Sequence, residues 1–218
     1  MSHTEYVLGS APRELERLIL QAEIIRPITE RLLRHAGLKP GMRVLDLGCG
    51  VGDVSLLAAG MVGPSGSVVG IDQSPEAIAL AESRARDKGL KQIDFCLGAA
   101  QEFSSAKPFD VAIGRYVLLY QSEPTNFIRA ARQNLCPGGI VAFHELSGHR
   151  ICHSLPLAPT FQRVAELLQF AFHNFGPSGD ASGRLSEHFL KADLSFPSMF
   201  AEVPIGGGGG FPVVCLVG

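Results

Sequence analysis

The chain has 218 residues, 46% of them hydrophobic, and a formal net charge of −2; that length suits one domain with a full core and a modest elaboration. No run of Lys and Arg occurs, which argues against nucleic acid as a main partner, because phosphate recognition needs clustered cations. No segment approaches the roughly 20 apolar residues of a membrane span, and the polar, charged N-terminus does not read as a secretory signal.

Residues 1–10 read as a short tail containing Tyr6, Leu8 and Gly9. Residues 12–36 read as a helix with Leu15, Leu18, Ile19, Ala22 and Ile25 at helical spacing. Pro27 kinks or restarts it, Ile28, Leu32 and Leu33 continue the stripe, and Gly37 ends it. The turn at 39–41 leads into Arg43-Val-Leu-Asp-Leu-Gly-Cys-Gly-Val-Gly-Asp53. Val44, Leu45 and Leu47 form the short apolar run of a parallel strand covered on both faces. Gly48, Gly50 and Gly52 allow a sharp turn and close approach of backbone to a ligand. Asp53 then opens a helix over 53–59 and complements its dipole. A strand, a glycine turn and a helix N-terminus make a nucleotide-type pocket at the carboxyl edge of a sheet.

The carboxylates narrow the choice of nucleotide. The dinucleotide pattern G-x-G-x-x-G/A ends in a small packing residue; counted from Gly48, that position is Asp53. Asp46 adds a second negative charge, and two carboxylates would repel a pyrophosphate. They suit a ligand carrying an ammonium and a sulfonium, as S-adenosylmethionine does. The second strand, over 68–71, ends at Asp72, one βα unit later, where a carboxylate accepts both ribose hydroxyls.

The βα rhythm continues. Pro75 opens a helix over 76–88 that Gly89 ends. Strands follow at 93–97 and 111–113, then a helix over 125–135, a turn at Pro137-Gly138-Gly139, and a fifth strand at 140–143. Alternating β and α implies a parallel sheet with helices on both faces. The rhythm breaks over 147–200. A helix at 160–174, a Gly/Pro/Ser-rich stretch at 176–183 and a short helix at 184–192 read as an insertion above the carboxyl edge. Segments 199–205 and 211–217 read as two last strands, joined only by the five glycines of 206–210.

These blocks resemble the class I S-adenosylmethionine-dependent methyltransferases, of the broad group that includes the ubiquinone and menaquinone methyltransferases. The resemblance runs from about Leu15 to Leu146. It rests on Val44-Leu-Asp-Leu-Gly-Cys-Gly-Val-Gly52, Val69-Gly-Ile-Asp72, Phe109-Asp-Val-Ala-Ile-Gly-Arg115 and Cys136-Pro-Gly-Gly-Ile-Val-Ala-Phe143, in order and with βα spacing. It implies a doubly wound, Rossmann-like α/β fold. The sheet would have seven mostly parallel strands, an antiparallel last strand and a helical cap. The domains expected are an N-terminal helical lid (1–40), a cofactor-binding core (41–146), a helical cap or substrate insertion (147–198) and a C-terminal strand pair completing the sheet (199–218).

The resemblance also distributes roles. Asp46, Gly48, Cys49 and Gly50 would contact the methionine part of S-adenosylmethionine, Asp72 the ribose, and Gln73 the adenine edge. Many relatives bond the adenine amino group with an Asp after the third strand. Here Gly98 is followed by Ala99, Ala100 and Gln101, so adenine would rely on backbone near Ala100 and the Gln101 side chain. Tyr6, Arg17 and Gln21 would close over the cofactor, with Arg17 or Gln21 on its carboxylate. Arg115 has two readings, backbone lining the cofactor slot or guanidinium pairing with a substrate acid. Tyr116, Tyr120 and Glu145 would line the acceptor pocket. His144, at the end of strand five, is the candidate general base. A His at that place is as readily a packing residue, and many methyl transfers need no base.

The expected activity is methyl transfer to O, N or C of a small organic acceptor, aromatic or lipophilic because the cap is rich in Leu155, Leu157, Phe161, Leu167, Leu168, Phe170, Phe172 and Phe175. The product is S-adenosylhomocysteine. Two rivals stand beside this reading: a non-catalytic binding module on the same fold, and a nicotinamide-dependent oxidoreductase, which Asp46, Asp53 and the glycine spacing disfavour. Five cysteines without a C-x-x-C read as reduced thiols of a cytoplasmic protein. His149, Cys152 and His153 lack a second ligand pair, so no metal is expected. Homodimerisation is left open.

Overall fold

A computed structural model describes residues 12–146, 157–175, 183–205 and 213–217. Helix α1 (Pro12–His35) precedes β1 (Arg43–Leu47), α2 (Asp53–Val62), β2 (Ser67–Asp72), α3 (Pro75–Asp87), β3 (Ile93–Leu97), β4 (Phe109–Arg115), α4 (Pro124–Gln133) and β5 (Leu135–His144). Then come α5 (Pro159–Phe175), α6 (Leu185–Lys191), β6 (Ala201–Ile205) and β7 (Val213–Val217). Strands β1–β5 form one parallel sheet in the order β3-β2-β1-β4-β5. The order reverses between β1 and β4, and ligands of such sheets bind outside the strand ends at that point.

The period of two along each strand sorts the core onto two faces. Val44, Val68, Val111, Ile113 and Ala142 pack against Leu33 and Ala36 near the end of α1 and against Val54 and Ala58 of α2. Leu45, Leu47, Val69, Ile71, Phe109 and Ala112 pack against Phe127, Ile128 and Ala131 of α4 and Phe189 of α6. The same alternation places Asp46, Arg115 and His144 on the α1/α2 side.

Several expectations are corrected. The expected single sheet of seven strands is not formed among the described residues: five strands make the parallel sheet, and β6 and β7 pair antiparallel with each other as a separate ladder. Helix α1 runs unbroken through Pro27. Pro137-Gly138-Gly139 is not a turn before β5 but an irregularity inside it. The register with β4 slips between Phe109/Leu135 and Val111/Ile140, and Gly138 has φ 80°. Strand β5 is an edge of this sheet, where Pro and a bulge are tolerated. Helix α6 packs on α4, where Arg129 donates to the Lys191 carbonyl at 2.6 Å and Thr125 is hydrogen-bonded to His188 at 2.9 Å.

Candidate active site

A cleft of about 750 Å³ opens at the carboxyl ends of β1, β2 and β4. One wall is the glycine turn. Gly48 and Gly50 have φ 69° and 52°, a left-handed backbone that favours glycine. A Cβ on Gly48 would lie 2.8 Å from Val117 Cγ2, whereas one on Gly50 would meet nothing within 4 Å. The Cys49 N–H donates to the Ile71 carbonyl at 2.9 Å, tying the turn to β2. Cys49 is buried, and burial pushes its thiol well above the ordinary range; it fills space within the turn.

Asp72 joins the two turns that frame the cleft. The Gly50 N–H donates to one carboxylate oxygen at 2.8 Å and the Ser74 N–H to the other at 2.9 Å. Each oxygen keeps a free lone-pair direction, and Asp72 lines the cleft with Gln73. Gly98, Ala100 and Gln101 form the next stretch of wall. Ala100 and Gln101 lie on a single 3-10 turn over Ala100–Glu102.

Asp46 lies behind the turn. It is almost completely buried, and one oxygen accepts from the Ser55 hydroxyl at 2.6 Å. The other oxygen has no hydrogen-bond partner. Burial raises the carboxyl to about 6, against the lowering effects of Ser55 and Arg115. Asp53 is held by Arg84 at 2.6 Å and by Arg115 at 3.7 Å. Arg115 lines the cleft, and its guanidinium also reaches Thr29 Oγ1 at 3.5 Å. Its charge is thus engaged on the glycine-turn side, not presented to a substrate acid.

The opposite wall is apolar and aromatic: Leu15, Leu18 and Ile25 of α1, then Tyr116, Leu119, Tyr120, Phe127 and Leu146. Residues expected to face the core from α1 therefore face the cleft. Arg17 and Gln21 line it too, and Arg17 donates to Glu14 at 2.6–2.7 Å and to Gln21 at 2.9 Å. Tyr6 lies outside the described residues, as do His149, Cys152 and His153.

Besides Asp46, two expected site residues do not line this cleft. His144 packs between α1 and the sheet, its Nδ1 hydrogen-bonded to Thr29 Oγ1 at 3.1 Å and its ring 5.1 Å from that of Tyr116. Burial first, then Arg115, lowers its pKa to about 4. Glu145 lies behind Val117 and Leu118, whose N–H groups donate to Oε1 at 3.0 and 2.9 Å. No described side chain of α5 lines the cleft, and Leu157, which precedes α5, and Phe161, Leu167 and Phe170 are exposed. Those of Leu155, Leu168, Phe172 and Phe175 lie outside the described residues.

Conversely, Ser55, Thr29, Arg84 and Gln121 were not singled out from sequence. Ser55 faces Asp46 from the first turn of α2, nine positions later, a spacing that a strand–turn–helix motif makes readable. Thr29 and Arg84 meet their partners only through the tertiary fold. A parallel sheet with a reversal beside β1, a glycine turn at its edge and an acid closing β2 defines the class I S-adenosylmethionine-dependent methyltransferases.

Comparison with known proteins agrees. The family model described as "Methyltransferase domain" matches residues 38–174. A nocamycin O-methyltransferase of Saccharothrix syringae is 31% identical over 209 residues, covering 84% of this chain and 74% of that protein. A ubiquinone biosynthesis O-methyltransferase of Thiobacillus denitrificans is 29% identical over 69% of this chain and 64% of its own length. The aklanonic acid methyltransferase of Streptomyces sp. is 33% identical, with 57% of each chain covered. Apart from the first, the chain spans about half to two thirds of these relatives. Among solved structures, a SAM-dependent methyltransferase from Aquifex aeolicus aligns over 75% of this chain and 88% of its own, with TM-score 0.57 and 23% identity, a likeness of fold. The chain belongs to the methyltransferase-domain family, whose cofactor is S-adenosylmethionine.

Proposed function

We propose that this chain transfers the methyl group of S-adenosylmethionine to O, N or C of a small aromatic or lipophilic acceptor. One observation carries the reading: a single cleft has the glycine turn and Asp72 on one wall and Tyr116, Leu119, Tyr120 and Phe127 on the other. The residues fit the cofactor. Gly50 leaves open space where a Cβ would stand, Asp72 keeps lone pairs for ribose hydroxyls, and the cleft volume suits a ligand of that size. When bound, S-adenosylmethionine supplies an electrophilic methyl group on a sulfonium.

The chain's own contribution is positioning. Gly48 and Gly50 present backbone to the methionine part, with the Asp46 carboxyl beneath. Asp72 orients the ribose, and Gln73, Ala100 and Gln101 border the adenine. Arg17 and Gln21 hold the cofactor carboxylate. Tyr116 and Tyr120 set the acceptor plane, so that nucleophile, methyl and sulfur align; such alignment alone supplies a large share of a rate. The His144 ring, turned into the α1 interface, does not act as the base. Relatives are named for nocamycin, ubiquinone biosynthesis and aklanonic acid, and the aromatic wall supports acceptors of that kind.

We further infer a cytoplasmic protein whose partners do not include nucleic acid, from the net charge of −2; no described helix is long and apolar enough to cross a membrane. Titration calorimetry with S-adenosylmethionine and NAD, followed by a screen of quinols, phenols and amines with methyl-labelled cofactor, tests the proposal. Binding of NAD alone would refute it. Cofactor binding without transfer to any acceptor would favour the non-catalytic module.

A further inference from the structure

Glu145 is half-buried and does not line the cleft, and no ion pair to it is found among the described residues. Its Oε1 accepts from two successive backbone N–H groups, Val117 at 3.0 Å and Leu118 at 2.9 Å. Its Oε2 is buried without a hydrogen-bond partner. The neighbouring Tyr116 N–H donates to the His144 carbonyl at 2.8 Å. Three consecutive N–H groups after β4 are therefore received by the end of β5. This is the segment that turns most sharply. Tyr116 has φ 54°, a left-handed backbone unfavourable for a bulky residue, and such a conformation persists only where its surroundings over-determine it. The held residues border the cleft: Tyr116, Val117, Leu119 and Tyr120 line it, and Val117 also backs Gly48.

A surface carboxylate would be a weak anchor. One shielded from solvent that accepts two backbone donors makes, when ionised, charge-assisted bonds, roughly twice as strong as neutral ones. Burial raises its carboxyl to about 7, against the lowering effect of these backbone bonds. We propose that Glu145 is a positioning residue that clamps the 116–120 segment in its left-handed turn and so fixes the acceptor side of the cleft. The inference rests on the methyltransferase reading for its kinetic consequence, not for its structural one.

The test pairs amide exchange with kinetics on Glu145→Ala and Glu145→Gln. In Glu145→Ala, exchange at Val117 and Leu118 should quicken by about tenfold or more, while the amides of β1 and β4 keep their protection. The acceptor kcat/KM should fall by about 100-fold, as expected for a displaced positioning element, with cofactor affinity within about threefold of wild type. Glu145→Gln retains an accepting oxygen and should recover turnover to within about tenfold, with exchange intermediate because the bonds are neutral. Wild-type exchange at Val117 and Leu118 in Glu145→Ala would overturn the clamp. So would equal losses of cofactor affinity and turnover. If Glu145→Ala does not fold, Glu145→Gln decides alone: unchanged exchange at both amides overturns the proposal. A wild-type chain that transfers no methyl group would refute the activity and leave the exchange result to stand or fall separately.

Discussion

Alanine at Gly48 and at Gly50 separates two penalties that the same turn imposes. Both positions have a left-handed φ, 69° and 52°, which costs an L-residue about 1–2 kcal/mol. Only Gly48 adds a steric conflict. Its Cβ would sit 2.8 Å from Val117 Cγ2. The other Val117 methyl already fills the space that a Cβ on Gly114 would take, so the valine is close-packed against β4. Overpacking of this kind adds about 1–3 kcal/mol. Gly48→Ala should therefore lose about 2–5 kcal/mol of stability and Gly50→Ala about 1–2 kcal/mol. Ligand binding should rank the other way once stability is accounted for. The Gly50 methyl would occupy open cleft space, so Gly50→Ala should bind S-adenosylmethionine at least about tenfold more weakly while remaining folded. Denaturant unfolding gives the first quantity and calorimetric titration the second. Equal stability losses, or a Gly50→Ala chain with wild-type affinity, would refute the geometry on which the cofactor reading rests.

Other expectations follow from individual groups. Asp72→Asn turns one of two accepting oxygens into a donor facing a backbone N–H, so affinity for S-adenosylmethionine should fall about 10–100-fold; calorimetry with an unchanged constant would remove Asp72 from the cofactor site. His144 is held near 4 in the fold against 6.5 when free. Its neutral ring favours the native state above 6.5, and that contribution, on the order of 3 kcal/mol, is lost as pH falls toward 4. His144→Gln should flatten stability between pH 7 and 4.5 in denaturant melts and leave the pH–rate profile near neutrality unaltered. Arg17→Ala combined with Gln21→Ala should weaken cofactor binding while S-adenosylmethionine decarboxylated at the methionine end binds both proteins alike; equal weakening of both ligands would place the pair elsewhere.

Much of this site was legible because local chemistry and fold agree there. Val44, Leu45 and Leu47 are buried strand residues, and the three glycines that follow have positive φ, as a turn into a helix requires. Asp72 was readable from its distance to that turn. What escaped depends on contacts between segments far apart in sequence. His144 reads as a strand-end residue at a pocket mouth, but alternation along β5 turns it toward α1, where Thr29 waits 115 positions away. Glu145 reads as a substrate ligand for the same reason, and instead serves the backbone of 117–118. Pro137-Gly138-Gly139 carries the local signature of a turn. The edge position of β5 overrides it, because an edge strand needs no partner on one side and absorbs an irregular segment without breaking.

Arg115 closes the argument, since sequence left it two readings and the structure favours a third. It neither offers only backbone nor waits for a substrate acid. Its guanidinium lies on the face of β4 that carries Asp53, Thr29 and, through the field, Asp46. Burial lowers its own pKa while Asp53 and Asp46 raise it, and Arg115 in turn lowers that of Asp46. With Arg115 in place Asp46 titrates at about 6, so it is mostly ionised at neutral pH. Arg115→Met removes the cation and leaves the Ser55 hydrogen bonds alone to oppose burial and Asp72, which both push the Asp46 carboxyl up. The midpoint should therefore move up from about 6. The carboxylate beneath the glycine turn would then be neutral under conditions where the wild type holds a negative charge. Cofactor affinity of Arg115→Met should fall as pH drops from 8 to 6.5, a range in which wild-type affinity changes little. The Asp46 carboxyl carbon shift, followed by NMR against pH, reads the midpoint without any ligand. An Asp46 that titrates alike in both proteins would show that Arg115 does not set the charge of the turn, and its place would revert to the packing of α1 on the sheet.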